Sequence, residues 1–368
     1  MLFAQYIFTF LQQYYFMHKQ LQFWYHNHKR NLPWRHTLNP YNIWLSEIIL
    51  QQTRVEQGLP YYLKFTDNYK TIKDFANADL NDILKLWQGL GYYSRARNMH
   101  IAAKYIRDNY NGIFPNNYNE LIKLQGIGPY TAAAIASFAF NESKAVVDGN
   151  VFRVIARFAG IYTDINSTNG KHEFSKIANE LLDKINPAIH NQAMMELGSM
   201  VCKPQNPDCI NCPINNSCFA FSNSEQKNLP VKIKKVKVKT RYFNYFIFEN
   251  NGNTYLNQRG ANDIWQGLFE FPLIEKPLFT NEMEVLNELI QNKYFDDISD
   301  LKIVFMENYK HILTHQILQV GFWKITSKAK PKLSNNFKEI KIDEINNYAV
   351  PKLLEKLISN VKLPHQIF

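Results

Sequence analysis

The four cysteines of this 368-residue chain all fall between Cys202 and Cys218, with six, two and five residues between successive thiols. A secreted disulfide scaffold would be shorter and would scatter its cysteines. Clustered thiols in a long chain point instead to a metal site in a reducing compartment. Four thiolates accept either Zn²⁺ or a [4Fe–4S] cluster, because both take tetrahedral sulfur coordination. Structural zinc sites usually show two close pairs, and only Cys209 and Cys212 are close here. A second constellation is Leu124-Gln125-Gly126-Ile127-Gly128-Pro129-Tyr130-Thr131, followed by an alanine-rich run. A helix ends there, two glycines permit a tight hairpin, and the amides opening the next helix suit a phosphate oxygen. Val146-Val147-Asp148-Gly149-Asn150 follows within about twenty residues.

These groups need elements to hold them. From about residue 17 to 221 the pattern is mainly helical, as in Tyr41 to Leu50 and Asn191 to Val201, with glycine and proline between the runs. Residues 222–240 read as a linker, within which Val231 to Lys239 alternates apolar and cationic residues at the period of a half-solvated strand. That alternation serves either as a charged edge that discourages aggregation or as a phosphate-facing surface. Residues 241–368 read as α+β, with strands at Tyr242 to Phe248, Ile303 to Phe305 and Gln319 to Ile325 and a helix near Glu282 to Ile290. With 46% hydrophobic residues the chain is globular. A net charge of +10 suits a polyanion, nucleic acid first and an anionic membrane second. Residues 1–16 are apolar but lack a basic start and a cleavage site and are too short to span a bilayer. They are expected to be an N-terminal extension, with Met17 an alternative start, and the protein to be soluble, cytoplasmic and monomeric.

The 6-2-5 cysteine spacing, the glycine hairpin and the following Asp148 together resemble the helix-hairpin-helix superfamily of endonuclease III. Leu32-Pro33-Trp34-Arg35, Trp44 to Thr53 and Gly89-Leu90-Gly91-Tyr92-Tyr93-Ser94-Arg95-Ala96-Arg97-Asn98 narrow this further. In that order they resemble the adenine DNA glycosylase family, over about residues 20 to 325. The resemblance implies a helical glycosylase domain carrying one [4Fe–4S] cluster on Cys202, Cys209, Cys212 and Cys218, then a nudix-like domain that reads 8-oxoguanine. It implies duplex DNA with adenine opposite 8-oxoguanine or guanine as partner, and hydrolysis of the adenine N-glycosidic bond.

The same resemblance assigns roles. Glu47 is the acid toward N7 of a flipped-out adenine, a task for a carboxyl whose pKa is raised by apolar neighbours. Asp148 stabilises the oxocarbenium sugar or adds to it, the two-carboxylate logic of a retaining glycosidase. Tyr130 and Asn150 position Asp148 and the water. Trp34, Arg35, Leu50 and Glu196 match the adenine pocket, Gln52 and Tyr92 the wedges that fill the opened duplex, and Gly126, Gly128 and Thr131 the DNA-binding hairpin. Endonuclease III-type lyases carry a Schiff-base lysine where this chain has Tyr130, and a phenol cannot form that imine. The expected enzyme is therefore monofunctional. Leu313-Thr314-His315 aligns with a Phe-Ser-His loop, so Thr314 and His315 are the 8-oxoguanine readers. The helix from Asn281 lacks the glutamate array of a nudix hydrolase. The rival readings are a pyrimidine- or thymine-directed glycosylase of the same superfamily and a non-catalytic DNA-binding iron–sulfur protein.

Overall fold

A computed structural model describes residues 17–233, 238–278 and 280–360. Residues 1–16, part of the lysine alternation (234–237) and residues 361–368 lie outside the described residues. In chain order the elements are α1 (17–28), α2 (Pro40–Ile49), α3 (Val55–Asn68), α4 (Ile72–Asn77), α5 (Leu80–Trp87), α6 (Ser94–Asn109), α7 (Tyr118–Leu121), α8 (Pro129–Phe140), α9 (Gly149–Ala159), α10 (Thr168–Leu181), α11 (Pro187–Met200) and α12 (Phe219–Ser222). Then follow β1 (Lys239–Glu249), β2 (Asn253–Gln258), β3 (Phe269–Glu270), β4 (Leu273–Lys276), α13 (Glu282–Gln291), β5 (Lys302–Ile312), β6 (Gln316–Thr326), β7 (Phe337–Lys341) and α14 (Lys352–Asn360). They form two compact units, residues 1–76 with 101–234, and residues 77–100 with 235–368.

In the first unit, α2 is apolar on nearly every side and is buried from Ile43 to Ile49. Asn39 caps its start and Pro40 occupies the first turn, where a missing N–H costs nothing. α8 begins the same way, with Pro129 after Gly128, and stops at Asn141 in the left-handed conformation. Ala132, Ala133, Ala134 and Ala136 are buried, which lets α8 pack closely against its neighbours. α9 is amphipathic: Val151, Val154 and Ile155 join Leu21, Phe174, Met194 and Leu197 in one apolar cluster.

The second unit holds a four-stranded sheet, ordered β4-β1-β6-β5, and a three-stranded sheet, β3-β2-β7. β1 runs parallel to β6 from Lys239↔Gln316 to Glu249↔Thr326, while β5 and β6 form an antiparallel hairpin. The strands expected at Tyr242 to Phe248, Ile303 to Phe305 and Gln319 to Ile325 lie within β1, β5 and β6. α13 starts with a reciprocal capping box between Asn281 and Glu284.

Val231 to Ile233 is not a strand. Its backbone is occupied elsewhere: the Ile165 amide donates to the Val231 carbonyl (3.1 Å), and the Ile233 amide donates to Asp164 Oδ1 (3.2 Å). Leu229, inside the expected linker, is buried in the first unit's apolar cluster. Among the described residues no helix is long and apolar enough to cross a membrane.

Candidate active site

A short helical turn at Pro33–Arg35 and the helices α2, α3, α8, α9 and α11 of the first unit surround a cavity of about 390 Å³. Its wall includes Trp34, Arg35, Glu47, Leu50, Tyr130, Asp148, Asn150 and Glu196, so eight of the residues singled out by sequence meet at one place. α2 contributes Glu47, the N-terminus of α8 contributes Tyr130, the start of α9 contributes Asp148 and Asn150, and α11 contributes Glu196.

Glu47 is buried, and the Tyr130 hydroxyl donates to its Oε2. Burial is the main reason its pKa is pushed up to about 7, and the nearby charge of Asp148 adds to it. The Tyr130 hydrogen bond and Arg35 act in the opposite sense without cancelling the shift. Burial also raises Tyr130 well above the ordinary phenol range, so its hydroxyl stays a donor.

Asp148 is the N-cap of α9: its Oδ1 accepts from the amides of Asn150 (2.9 Å) and Val151 (2.7 Å). Its Oδ2 accepts from Asn150 Nδ2 (2.8 Å). Burial raises its pKa above the usual carboxylate value, and these three donors hold the rise in check. Capping and chemistry are compatible here, since the helix N-terminus also favours the negative charge. Asn150 is itself oriented by Arg153, whose Nη2 donates to Asn150 Oδ1 (2.8 Å) and to the Gly198 carbonyl (2.7 Å). Any Cβ at Gly198 would sit 2.6 Å from that of Asn150, so α11 can approach α9 only with glycine there.

Glu196 is buried and receives both Arg30 and Arg35, with Nη2 to Oε2 distances of 2.6 Å each. Burial alone would raise its pKa, but the two guanidiniums and the Arg30 amide outweigh that and hold it at about 2. Glu196 is therefore ionised where Glu47 is poised to keep its proton. The pair Arg30–Glu196 was not foreseen from sequence, since Arg30 stands in a run of polar and basic residues with no spacing signal. Ser199, which accepts from Arg30 Nη2 (3.0 Å), was missed too, since a lone serine in an apolar helical run carries no signal.

The hairpin glycines Gly126 and Gly128 are exposed, and Gly126 has φ +76°. The Thr131 side chain is buried, and its hydroxyl accepts from Gln51 Nε2 (3.2 Å), which ties the hairpin to the end of α2. Gln52 has φ +57°, a left-handed conformation that a non-glycine residue adopts at a cost.

All four cysteines line a separate small cavity of about 30 Å³. Arg157 Nη1 lies 3.4 Å from Cys202 Sγ, and its other donors go to the carbonyls of Lys203 (2.7 Å), Pro204 (3.0 Å) and Leu229 (2.9 Å). Arg153 Nε donates to the Cys202 carbonyl (2.6 Å), tying this loop to α9. Burial pushes Cys212 up to about 12 and also raises Cys209 and Cys218. Among the described residues no set of three or more His, Cys, Asp or Glu side chains forms a site for a single metal ion.

In the second unit, Tyr92 and Thr314 share a hydrogen bond between hydroxyls (2.9 Å). Thr314 and His315 are exposed at the β5–β6 turn. Leu313 packs on the unit's apolar core instead of standing free.

The HhH-GPD superfamily model of base excision DNA repair proteins matches residues 45–184, and a NUDIX domain model matches residues 244–360. A thermostable thymine-DNA glycosylase is 27% identical with a TM-score of 0.54, covering 58% of this chain and 98% of its own. An endonuclease III in a non-covalent DNA complex is 25% identical with a TM-score of 0.51, over 59% and 98%. The human adenine DNA glycosylase is 40% identical over 56% of this chain and 39% of its own length. That of Buchnera aphidicola subsp. Baizongia pistaciae is 36% identical over 92% of this chain and 95% of its own. Sequence likeness across nearly the whole of both chains, on a fold whose carboxylates meet at one cavity, shows that the chain belongs to the adenine DNA glycosylase family.

Proposed function

We propose that the enzyme hydrolyses the N-glycosidic bond of adenine paired with 8-oxoguanine or guanine, and that it does so without cutting the strand. The observation that carries this is the pairing, in one cavity, of a buried carboxyl with a pKa near 7 and a carboxylate fixed at a helix N-terminus. Such a split is what acid and stabilising roles require of two chemically similar groups.

Adenine leaves only when its ring takes a proton. Tyr130 occupies Glu47 Oε2 as a donor, so the acidic proton belongs on Oε1, the oxygen left for the base. As the bond breaks, positive charge grows on the sugar, and Asp148 lies ready to stabilise it or to bond to C1′ before water completes the hydrolysis. Asn150, held by Arg153, keeps Asp148 in a single orientation. Trp34, Leu50 and the Arg35–Glu196 pair form the walls around the base. Among the described residues no lysine lines this cavity, which adds to the argument from Tyr130 against a Schiff-base step.

The four cysteines suit one [4Fe–4S] cluster: all four line one small cavity, and their spacing, with only Cys209 and Cys212 close, departs from the two close pairs usual in structural zinc sites. When bound, the cluster would supply the positive charge that keeps the buried sulfurs ionised and the loop shaped. The purified protein is expected to be yellow-brown, absorbing near ~400 nm. Stoichiometric zinc without iron would overturn this assignment.

Reading of the opposite base falls to Thr314 and His315, and Gln52 and Tyr92 are the wedges; the Tyr92–Thr314 bond supports pairing that wedge with the readers. The direct test uses duplexes carrying one A:8-oxoguanine pair, one A:G pair or only A:T. Alkali-labile sites are expected at adenine in the first two. Their absence sinks the substrate assignment, and strand breaks before alkali sink hydrolysis without lyase activity.

A further inference from the structure

The turn that presents Tyr92 takes a left-handed backbone at three positions, and only one of them is strained. Gly89, Gly91 and Tyr92 all have positive φ, at 98°, 72° and 48°. A Cβ on Gly91 would meet nothing, so glycine serves there for conformation and not for space. Tyr92 has no such excuse: an aromatic residue in the left-handed region must be held there. Its ring is half exposed, so core packing does not hold it.

Besides the Thr314 hydrogen bond on its hydroxyl, Tyr92 is restrained by Arg95, in the first turn of α6. Arg95 Nη2 donates to the Gly91 carbonyl (3.2 Å) and reaches the Leu90 carbonyl (3.5 Å). The buried Trp87 donates its indole Nε1 to the same Gly91 carbonyl (3.0 Å), so the turn is clamped from two sides. The Arg95 guanidinium also lies over both rings, 5.1 Å from that of Trp87 and 5.7 Å from that of Tyr92. A guanidinium stacked on an aromatic face orients the ring as well as attracting it. One side chain thus touches the wedge, the turn behind it and the core residue beneath.

We propose that Arg95 is the positioning residue of the Tyr92 wedge, holding its ring and its left-handed turn ready before DNA arrives. This rests on the reading of Tyr92 as a wedge. A preformed wedge enters the duplex without first losing the freedom of a mobile aromatic side chain. Arg95 then acts only through Tyr92, and only while the mispair is still stacked.

The test measures single-turnover adenine release by the full chain at saturating enzyme on two duplexes. One has a fully paired context around A:8-oxoguanine; in the other the flanking pairs are mismatched, so the adenine is already loosely stacked. Arg95→Gln is expected to slow release about tenfold on the first duplex, the scale of one partly desolvated cation–π contact, and to be near wild type on the second. Arg95→Lys, which keeps the charge but not the planar fork, should fall between, and it carries the same comparison if Arg95→Gln fails to fold. Adding Arg95→Gln to Tyr92→Ala should cost nothing further. Equal losses on both duplexes, or losses that add in the double variant, overturn the proposal. A defective Tyr92→Ala beside an unaffected Arg95→Gln overturns it alone. A Tyr92→Ala chain with the wild-type rate on the paired duplex overturns the wedge reading and the proposal together.

Discussion

Asp148→Asn is expected to lower adenine release by about three orders of magnitude or more, while the helix it caps stays in place. The size follows from removing a negative charge opposite a cationic transition state inside an enclosed site. Folding survives because asparagine caps helices about as well as aspartate, its Oδ1 still accepting from the amides of Asn150 and Val151. One defect remains. The new Nδ2 would face Asn150 Nδ2, and Asn150 cannot turn over without giving up the bond from Arg153 to its Oδ1. That donor–donor contact costs about 1 kcal/mol, far less than the catalytic loss. The measurement is single-turnover release beside a thermal melt. A variant that keeps near wild-type release shows that Asp148 is only a cap.

Glu47→Gln is expected to abolish acid catalysis and yet to make the protein more stable above neutral pH. With its pKa pushed up to about 7, Glu47 is half protonated near neutrality, and release should fall as pH rises through that point. The acid side of the profile is expected to follow Asp148, whose proposed role needs the ionised carboxylate. For stability the sign follows from proton binding. Between the unfolded value of 4.5 and the folded value near 7, the folded chain holds a proton that the unfolded chain has released. Stability is therefore lost as pH climbs through that window, by about 3 kcal/mol at full extent. Glutamine cannot ionise, and its Oε1 can still accept from Tyr130. The variant should melt above the parent at pH 8 and show much less advantage at pH 5. An equal difference at the two pH values would mean that Glu47 is not strained by its burial.

Much of this enzyme is local, and local features are legible in a sequence. The glycine hairpin, the Asp148 cap and the cysteine loop each depend on residues a few positions apart, whose turn and cap chemistry holds in any surroundings. The alternating strands β1, β5 and β6 and the helix α13 could be read for the same reason. The lysine alternation misled at Val231 to Ile233, because period alone does not supply a neighbouring strand and that backbone found partners at 164–166.

What only the tertiary structure decided is where chain segments far apart come together. Glu47, Asp148 and Glu196 share a cavity because α2, α9 and α11 converge, and the glycine at 198 makes the last approach possible. The same convergence placed Arg30 on Glu196, Arg153 on Asn150, and Thr131 on Gln51. It also grouped residues 77–100 with the C-terminal half. Most of all, it set the carboxyl groups apart in chemistry. A sequence shows two acids of nearly equal intrinsic strength; burial leaves Glu47 able to hold a proton, while Arg30 and Arg35 keep Glu196 ionised. Desolvation and charge pairing are properties of the packed interior, and they come into being only when the chain folds.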